Sequence, residues 1–447
     1  MKKIVIGAGA GYAGDRIEPA EELARSGRID YIIFECLAER TIALAQQRRL
    51  KDPRAGYDDR LAERMTRILP YCHAHGVKLI TNMGAAHPMA ALDVTIEIAR
   101  RHGLAGMKIA AVTGDDVAER VTDLDLIVEE TRKPVSESFP RFVSANAYLG
   151  AESVVPALEF GADVIITGRV ADPSLFLAPM MHEFGWQPDS WEVLGRGTVV
   201  GHLLECAGQV TGGYFADPGK KNVSGLGRLG FPLAEVTADG DAVITKLDGT
   251  GGTVNLATCG EQLLYELGDP SSYLTPDVTA DFTGVTLGQE GPDRVTITGG
   301  SGRQRPAMFK VSIGYQDGYI GEGEISYAGC GAVDRARCSG KIIEERLRIV
   351  GARYREIRYD LMGINALHGE ASVTQAYHPY EVRLRVTART ESREEGEIIG
   401  NEVEALYTNG PAGGGGARKS VREIMAIGSA FIPRGEVRTD ITMKEVK

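Results

Sequence analysis

The six cysteines of this 447-residue chain, Cys36, Cys72, Cys206, Cys259, Cys330 and Cys338, are widely spaced and form no CxxC pair. Neither a thiolate zinc site nor a disulfide framework is expected, and a reducing cytoplasm is the expected location. No run of about 18 apolar residues occurs, so no membrane span is expected. Met1 to Ile6 passes straight into a glycine-rich turn without a charged-then-apolar leader, so no signal peptide is expected. Basic residues form no dense block: 50 Lys and Arg stand against 61 Asp and Glu, a formal net charge of -11, which argues against nucleic acid as a partner. GxxxxGK[ST] is absent, which excludes a Walker phosphate site.

What the chain does have is 43% hydrophobic and 25% charged residues, the balance of an ordinary globular protein. Its length suits two or three domains at roughly 100 to 200 residues each. The 56 glycines are about one residue in eight, against a typical roughly 7%. Many follow short β-branched runs: Lys3–Ile6, Tyr31–Phe34, Val77–Ile80, Lys108–Val112, Phe142–Ser144 and Asp163–Ile166 each lead into a polar or glycine-rich loop and then a helical stretch. That alternation predicts an α/β protein with a parallel-sheet, doubly wound, Rossmann-like domain over residues 1–215, carrying most of the candidate site loops at the carboxyl ends of its strands. Residues 216–293 read as an irregular β-containing connection and 294–447 as a smaller α+β domain. A stretch from Lys419 reads as helix-compatible.

Gly9, Gly11 and Gly14 satisfy GxGxxG after the first strand, and Glu35 closes the second, where a ribose-binding acid would sit. Either a nucleotide binds there, or the glycines make a tight turn at the mouth of an active site; Asp15 would set a carboxylate close to the phosphate position. His202, Glu205 and Cys206 share one face of a helix at i, i+3 and i+4, a spacing fit for proton transfer, for an activated thiolate, or for a buried histidine bonded to a carboxylate. Asp115 and Asp116 after a strand read as an acid/base pair, a metal foothold or helix caps. Arg169 and Asp172 suit binding of a substrate carboxylate or an internal ion pair. Arg16, Asn82, Asn146, Thr211 and Gly212 add donors and close backbone on neighbouring loops. No cofactor signature stands out; a divalent metal or a CoA ester is compatible with these groups, and no metal ligand set is assigned.

Gly9-Ala10-Gly11-Tyr12-Ala13-Gly14-Asp15-Arg16-Ile17-Glu18-Pro19-Ala20, Phe34-Glu35-Cys36-Leu37-Ala38-Glu39-Arg40-Thr41, Gly168-Arg169-Val170-Ala171-Asp172, Gly201-His202-Leu203-Leu204-Glu205-Cys206, Thr275-Pro276-Asp277-Val278 and Asn409-Gly410-Pro411-Ala412-Gly413-Gly414-Gly415 together resemble the acyclic terpene utilisation AtuA family. The resemblance implies a bacterial catabolic protein, in some members associated with citronellol and geraniol breakdown beside enzymes of branched acyl-CoA esters. It implies no need for NAD and assigns no catalytic residue. His87 stands where the family pattern is expected to have Asn. Some members carry a further small C-terminal domain, so a separate small subunit is an expected partner, along with a homo-oligomer. The resulting expectation is a lyase or hydratase acting on a carboxylic acid or acyl-CoA ester. Its catalytic residues would be Glu35, His202, Glu205 and Asp116, and its substrate-binding residues Gly9, Gly11, Gly14, Arg16, Asn82, Asn146, Arg169, Asp172, Thr211 and Gly212. The alternatives are a hydrolase using Cys206 or a metal-bound water, a non-catalytic partner subunit, and a nucleotide-dependent enzyme.

Overall fold

All six strand-like runs of the first half form strands in a computed structural model, which describes residues 2–372 and 379–447. In chain order they and their helices are β1 (Lys3–Ala10), α1 (Glu18–Ser26), β2 (Tyr31–Phe34), α2 (Glu39–Lys51), α3 (Leu61–His75), β3 (Lys78–Thr81), α4 (Pro88–Arg101), β4 (Lys108–Thr113), α5 (Ala118–Leu124), α6 (Val135–Ser138), β5 (Phe142–Ala147), α7 (Val155–Glu159), β6 (Val164–Thr167), α8 (Asp172–Phe184) and α9 (Trp191–Glu205). Shorter elements follow: β7 (Pro232–Thr237), β8 (Ala242–Lys246), α10 (Leu256–Leu264), β9 (Tyr273–Leu274), β10 (Thr279–Asp281), β11 (Thr286–Gly291), β12 (Arg294–Thr298) and β13 (Ser301–Arg303). The last part holds β14 (Met308–Ala328), α11 (Ala332–Ile349), β15 (Glu356–Met362), β16 (Glu381–Thr390), α12 (Arg393–Asn409), β17 (Gly415–Pro433) and β18 (Asp440–Glu445). Two units are formed, Met1–Tyr315 with Ile427–Lys447, and Gln316–Ala426.

The first unit is mixed α/β, built on a ten-stranded sheet of order β11-β12-β8-β7-β1-β2-β3-β6-β4-β18. Its middle strands β1, β2, β3, β6 and β4 are parallel. β2 and β6 are buried at every position, so they read as continuous apolar runs. Antiparallel strands extend both edges, which makes the sheet mixed where βα alternation alone predicts a parallel one. For β7 and β8 the reason is connection length. Only Ala238–Asp241 separates β7 from β8, and a turn that short joins antiparallel neighbours, whereas a parallel crossover needs a dozen or more residues. The segment expected as a separate connection at 216–293 therefore largely extends the main sheet, and the boundaries expected at 215/216 and 293/294 fall inside the first unit. Strand β5 leaves this sheet and pairs with the start of β14, Asn146 opposite Ser312 and Ala147 opposite Val311. Helices α8 and α9 pack on one another closely, because α9 carries glycine at its contacts: a Cβ on Gly201 would lie 2.7 Å from the Pro173 carbonyl oxygen, and one on Gly195 would lie 1.9 Å from that of Ser301 in β13.

In the second unit the antiparallel order is β15-β16-β14-β17. On β16, Val382, Leu384, Val386 and Ala388 are buried while Arg383, Arg385 and Arg389 alternate with them and pair with Glu324, Asp360 and Asp317. Ser392 and Glu395 form a capping box that starts α12. The stretch from Lys419, read as helix-compatible, lies in β17. Toward its end Ala430 and Ile432 are buried and Phe431 between them is exposed, the two-residue period of a strand, and pairing decides against the weak helical preference. Among the described residues no helix is long and apolar enough to cross a membrane.

The α9 contact gives a direct test. Gly195→Ala puts a methyl into the backbone of Ser301 and is expected to cost about 1–3 kcal/mol, read as a lower urea midpoint. Gly260→Ala on α10, whose nearest neighbour is 4.0 Å away, is expected to leave stability unchanged or raise it by up to about 1 kcal/mol.

Candidate active site

The loops that follow β1, β2 and β6, the end of α9, and Tyr148 just past β5 enclose a cavity of about 990 Å³. Gly11, Gly14, Arg16, Glu35, Arg169, Asp172 and Glu205 all line it. The sheet order puts β1 beside β2, and β6 two strands further on, so residues distant in sequence converge at one end of the parallel block.

Arg169 is the charged centre of the wall. Its backbone N–H donates to Asp115 Oδ2 at 2.8 Å, and Asn146 donates to the same oxygen at 2.9 Å. A Cβ on Gly168 would lie 2.3 Å from Asp115 Oδ1, so only glycine lets the loop close over that carboxyl. The guanidinium donates from Nη2 to Asp172 Oδ1 at 2.8 Å and lies 4.2 Å from the centre of the Tyr148 ring. Its Nε and Nη1 are buried without a hydrogen-bond partner. The Tyr148 hydroxyl donates to Glu39 Oε1, which also takes Lys310 Nζ at 3.3 Å.

The carboxyls around this cation differ in state. Burial would raise Glu39, but the Tyr148 hydroxyl and the Arg169 charge outweigh it and hold its pKa at about 2. Glu35 accepts from Leu37 N and Asn82 Nδ2, both at 2.9 Å and both on Oε1. Burial, with the Asp172 charge added, nevertheless pushes it well above the usual carboxylate range. Burial also raises Asp172, against the pull of Arg169. Burial pushes Glu205 up to about 7. Its Oε1 meets His202 Nδ1 at 2.9 Å, and its Oε2 is buried and unpartnered. Burial alone would lower His202, and the Glu205 charge overcomes it and raises that imidazole.

The glycine loop differs from a dinucleotide turn in two respects. Gly9 lies within β1, against the Phe34 ring, and Gly14 precedes the start of α1 at Glu18 instead of opening it. The Asp15 carboxylate takes the Gly11 N–H at 3.0 Å and the Arg16 N–H at 2.9 Å, filling amide donors that a phosphate would need. Arg60 and Arg64 hold the loop from behind through the Asp15 carbonyl, at 2.6 and 3.3 Å. A Cβ on Gly11 would lie 2.5 Å from the Cys206 backbone, so the glycine ties the end of β1 to the end of α9.

The other expected site residues lie around this cavity or away from it. Asn82 and Asn146 stand behind Glu35 and Asp115 as positioning donors, and His202 stands behind Glu205. Thr211 is buried, donating to the Gly208 and Gly230 carbonyls, and Gly212 takes φ 104° beside Val223. Asp116 is exposed, accepts from Ala118 N as a helix-capping residue would, and lines a separate cavity with Arg120 and Glu436. Burial raises the Cys206 thiol far above its ordinary value, the reverse of what a nucleophilic thiolate needs. Among the described residues no three His, Cys, Asp or Glu side chains converge as a metal-ligand set. The expected residues do not include Glu39, Tyr148, Lys310 or Glu266, and of the pair Asp115 and Asp116 they include Asp116, whereas it is Asp115 that is buried against Arg169. Asp115 and Tyr148 follow strands β4 and β5, the same signal that marks Glu35. Lys310 has no local signal, because only the pairing of β14 with β5 brings it near.

Comparison with curated proteins and with solved structures finds no match. The family model described as "Acyclic terpene utilisation family protein AtuA" matches residues 4–443, and the chain belongs to that family.

Proposed function

We propose that this chain is a catabolic enzyme that moves protons on a carboxylic acid or acyl ester, in the manner of a hydratase or lyase. The observation that supports this reading is the Arg169 guanidinium, with Nε and Nη1 unpartnered, set near Glu35 and Glu205, two carboxyls that burial raises, on the wall of one cavity. The reading takes the parallel block as a doubly wound, Rossmann-like sheet, in which ligands bind outside the carboxyl ends of the strands. Arg169 holds the substrate carboxylate or polarises the acyl carbonyl. In the dehydration direction Glu205 takes the proton from the carbon next to the carbonyl. The C–O bond at the adjacent carbon breaks as the C=C bond forms, and Glu35 gives its proton to the departing hydroxyl, which leaves as water. Hydration is the reverse. His202, bonded to Glu205, positions it and tunes its proton affinity. The hydrolase alternative through Cys206 and the nucleotide alternative through the glycine loop lack comparable support, for the reasons of thiol burial and amide occupancy above.

A panel of 3-hydroxy and α,β-unsaturated carboxylates and their CoA esters in D₂O tests this by NMR. The wild type is expected to incorporate deuterium next to the carbonyl of at least one acid or ester and to interconvert it with its hydrated partner. Glu205→Gln should slow both processes, by about 10²–10⁴-fold for loss of a positioned acid or base. Glu35→Gln should retain exchange and lose water transfer. No exchange with any panel member, or a Glu35→Gln variant equal to the wild type in water transfer, sinks the reading.

Glu205 also makes stability depend on pH in a defined sense. Its native pKa of about 7 lies above its ordinary 4.5, so the native state keeps a proton that the unfolded chain releases. The stability contributed by the neutral carboxyl is complete below pH 4.5 and lost as pH rises through 7. The urea midpoint of Glu205→Gln relative to wild type should therefore rise from pH 5 to pH 8. A difference that stays flat or falls over that range contradicts the assigned protonation.

A further inference from the structure

A second cavity of about 500 Å³ shares Tyr148, Arg169 and Asp172 with the first. Its character is different. Beyond the shared wall it is lined chiefly by Tyr273, Pro276, Pro306, Met308, Phe309 and Phe431. Several of its polar lining atoms are engaged elsewhere: Thr275 Oγ1 donates to the Val278 carbonyl at 2.8 Å, the Pro276 carbonyl accepts from Arg434 at 2.8 Å, and Lys310 Nζ pairs with Glu39. Pro276 and Pro306 have no N–H to offer. The Tyr273 ring packs at 5.5 Å from His202 and 5.2 Å from Phe282, which fixes one side of the chamber directly behind the His202–Glu205 pair. A ligand group entering here finds apolar surface and, at the shared wall, Arg169 and Asp172.

From this continuity we propose that the second chamber binds the hydrocarbon chain of the substrate while its carboxyl or acyl end lies against Arg169, with Met308 and Phe431 setting the chain length accepted. The chain passes beside Asp172, the half-buried residue that lines both cavities. This rests on the reading of Arg169 as the binder of the substrate's acyl end and adds the class of substrate: an acid or acyl ester with an apolar chain several carbons long. Met308 and Phe431 are both partly exposed at 40% and 42%, so their side chains are open to substitution at the chamber without disturbing the core. Filling the chamber and enlarging it then have opposite effects on preference.

Calorimetric titration of the wild type with straight-chain carboxylates from acetate to dodecanoate, and with n-alcohols of matching length, tests this without requiring turnover. Affinity for the acids is expected to rise about fourfold per added methylene until the chamber is full and then level off. Met308→Trp, which occupies the chamber, should collapse the ratio of long-acid to short-acid affinity, and Phe431→Ala should move the levelling point to longer acids. Circular dichroism melts on both variants establish that they fold, and the opposite directions of the two effects separate a pocket change from a general loss. Acids that bind with no dependence on length overturn the chamber's role and leave the reading of Arg169 standing. If no acid binds, the reading of Arg169 has failed and this proposal with it. Alcohols that gain with length as steeply as the acids, with the acid series unchanged in Arg169→Gln, show an apolar site unconnected to the polar one and also overturn the proposal.

Discussion

One buried positive charge governs the candidate site. A guanidinium out of water is costly unless its charge is met, and Arg169 is met by Asp172 at one nitrogen, the face of Tyr148, and the fields of Glu35 and Glu39. The states of these neighbours follow from it in turn. Glu39 is ionised because Tyr148 and Arg169 hold it so, and its charge anchors Lys310, whose ammonium also lies over the Tyr148 ring. The backbone of Arg169 is fixed as well. Asp115, lying beneath Gly168, takes the Arg169 N–H and the Asn146 amide on one oxygen. The position of the cation is therefore set in part from the neighbouring strand, at the end of β4.

The glycine excess belongs to the same constraint. Gly11, Gly84 and Gly168 do not adopt the left-handed conformations that favour glycine; what excludes a side chain is proximity. A Cβ would strike the Cys206 backbone at Gly11, the Thr167 carbonyl oxygen at Gly84, and the Asp115 carboxyl at Gly168. Each contact joins the end of one parallel strand to a neighbouring strand or helix end. Packing at that distance ties the loop of β1 to the end of α9 and the loops of β3 and β4 to that of β6.

The same physics explains what the sequence made legible. Strands buried on both faces spell continuous apolar runs, so β1 to β6 could be read directly, as could the rule that functional groups follow the strand, which marks Glu35, Arg169 and Asp172. What could not be read was partnership. The antiparallel edges depend on which strand β7 and β18 meet, and β17 is a strand because of its pairing, although its local pattern also permits a helix. The wall of the cavity divides along the same line. His202 and Glu205 are neighbours on a helix and could be found by spacing, whereas Glu39, Tyr148 and Lys310 meet only when β14 pairs with β5. Asp116 illustrates the limit of adjacency: one residue from Asp115, it points to solvent and serves a helix start, while its neighbour is sealed under Gly168.

Formal charge alone misstates the field inside the cavity. Its wall carries the carboxyls of Asp15, Glu35, Glu39, Asp172, Glu205 and Glu266 against the cations Arg16 and Arg169, and fully ionised it would repel an acid. Four of those carboxyls, Asp15, Glu35, Asp172 and Glu205, are raised, with burial the largest cause for each. A crowd of carboxyls in low dielectric retains protons because ionising each one makes the next harder, while a guanidinium keeps its charge under any such pressure. Burial and mutual repulsion thus act against negative charge on this wall, while Glu39 stays ionised and Asp172 stays paired with Arg169.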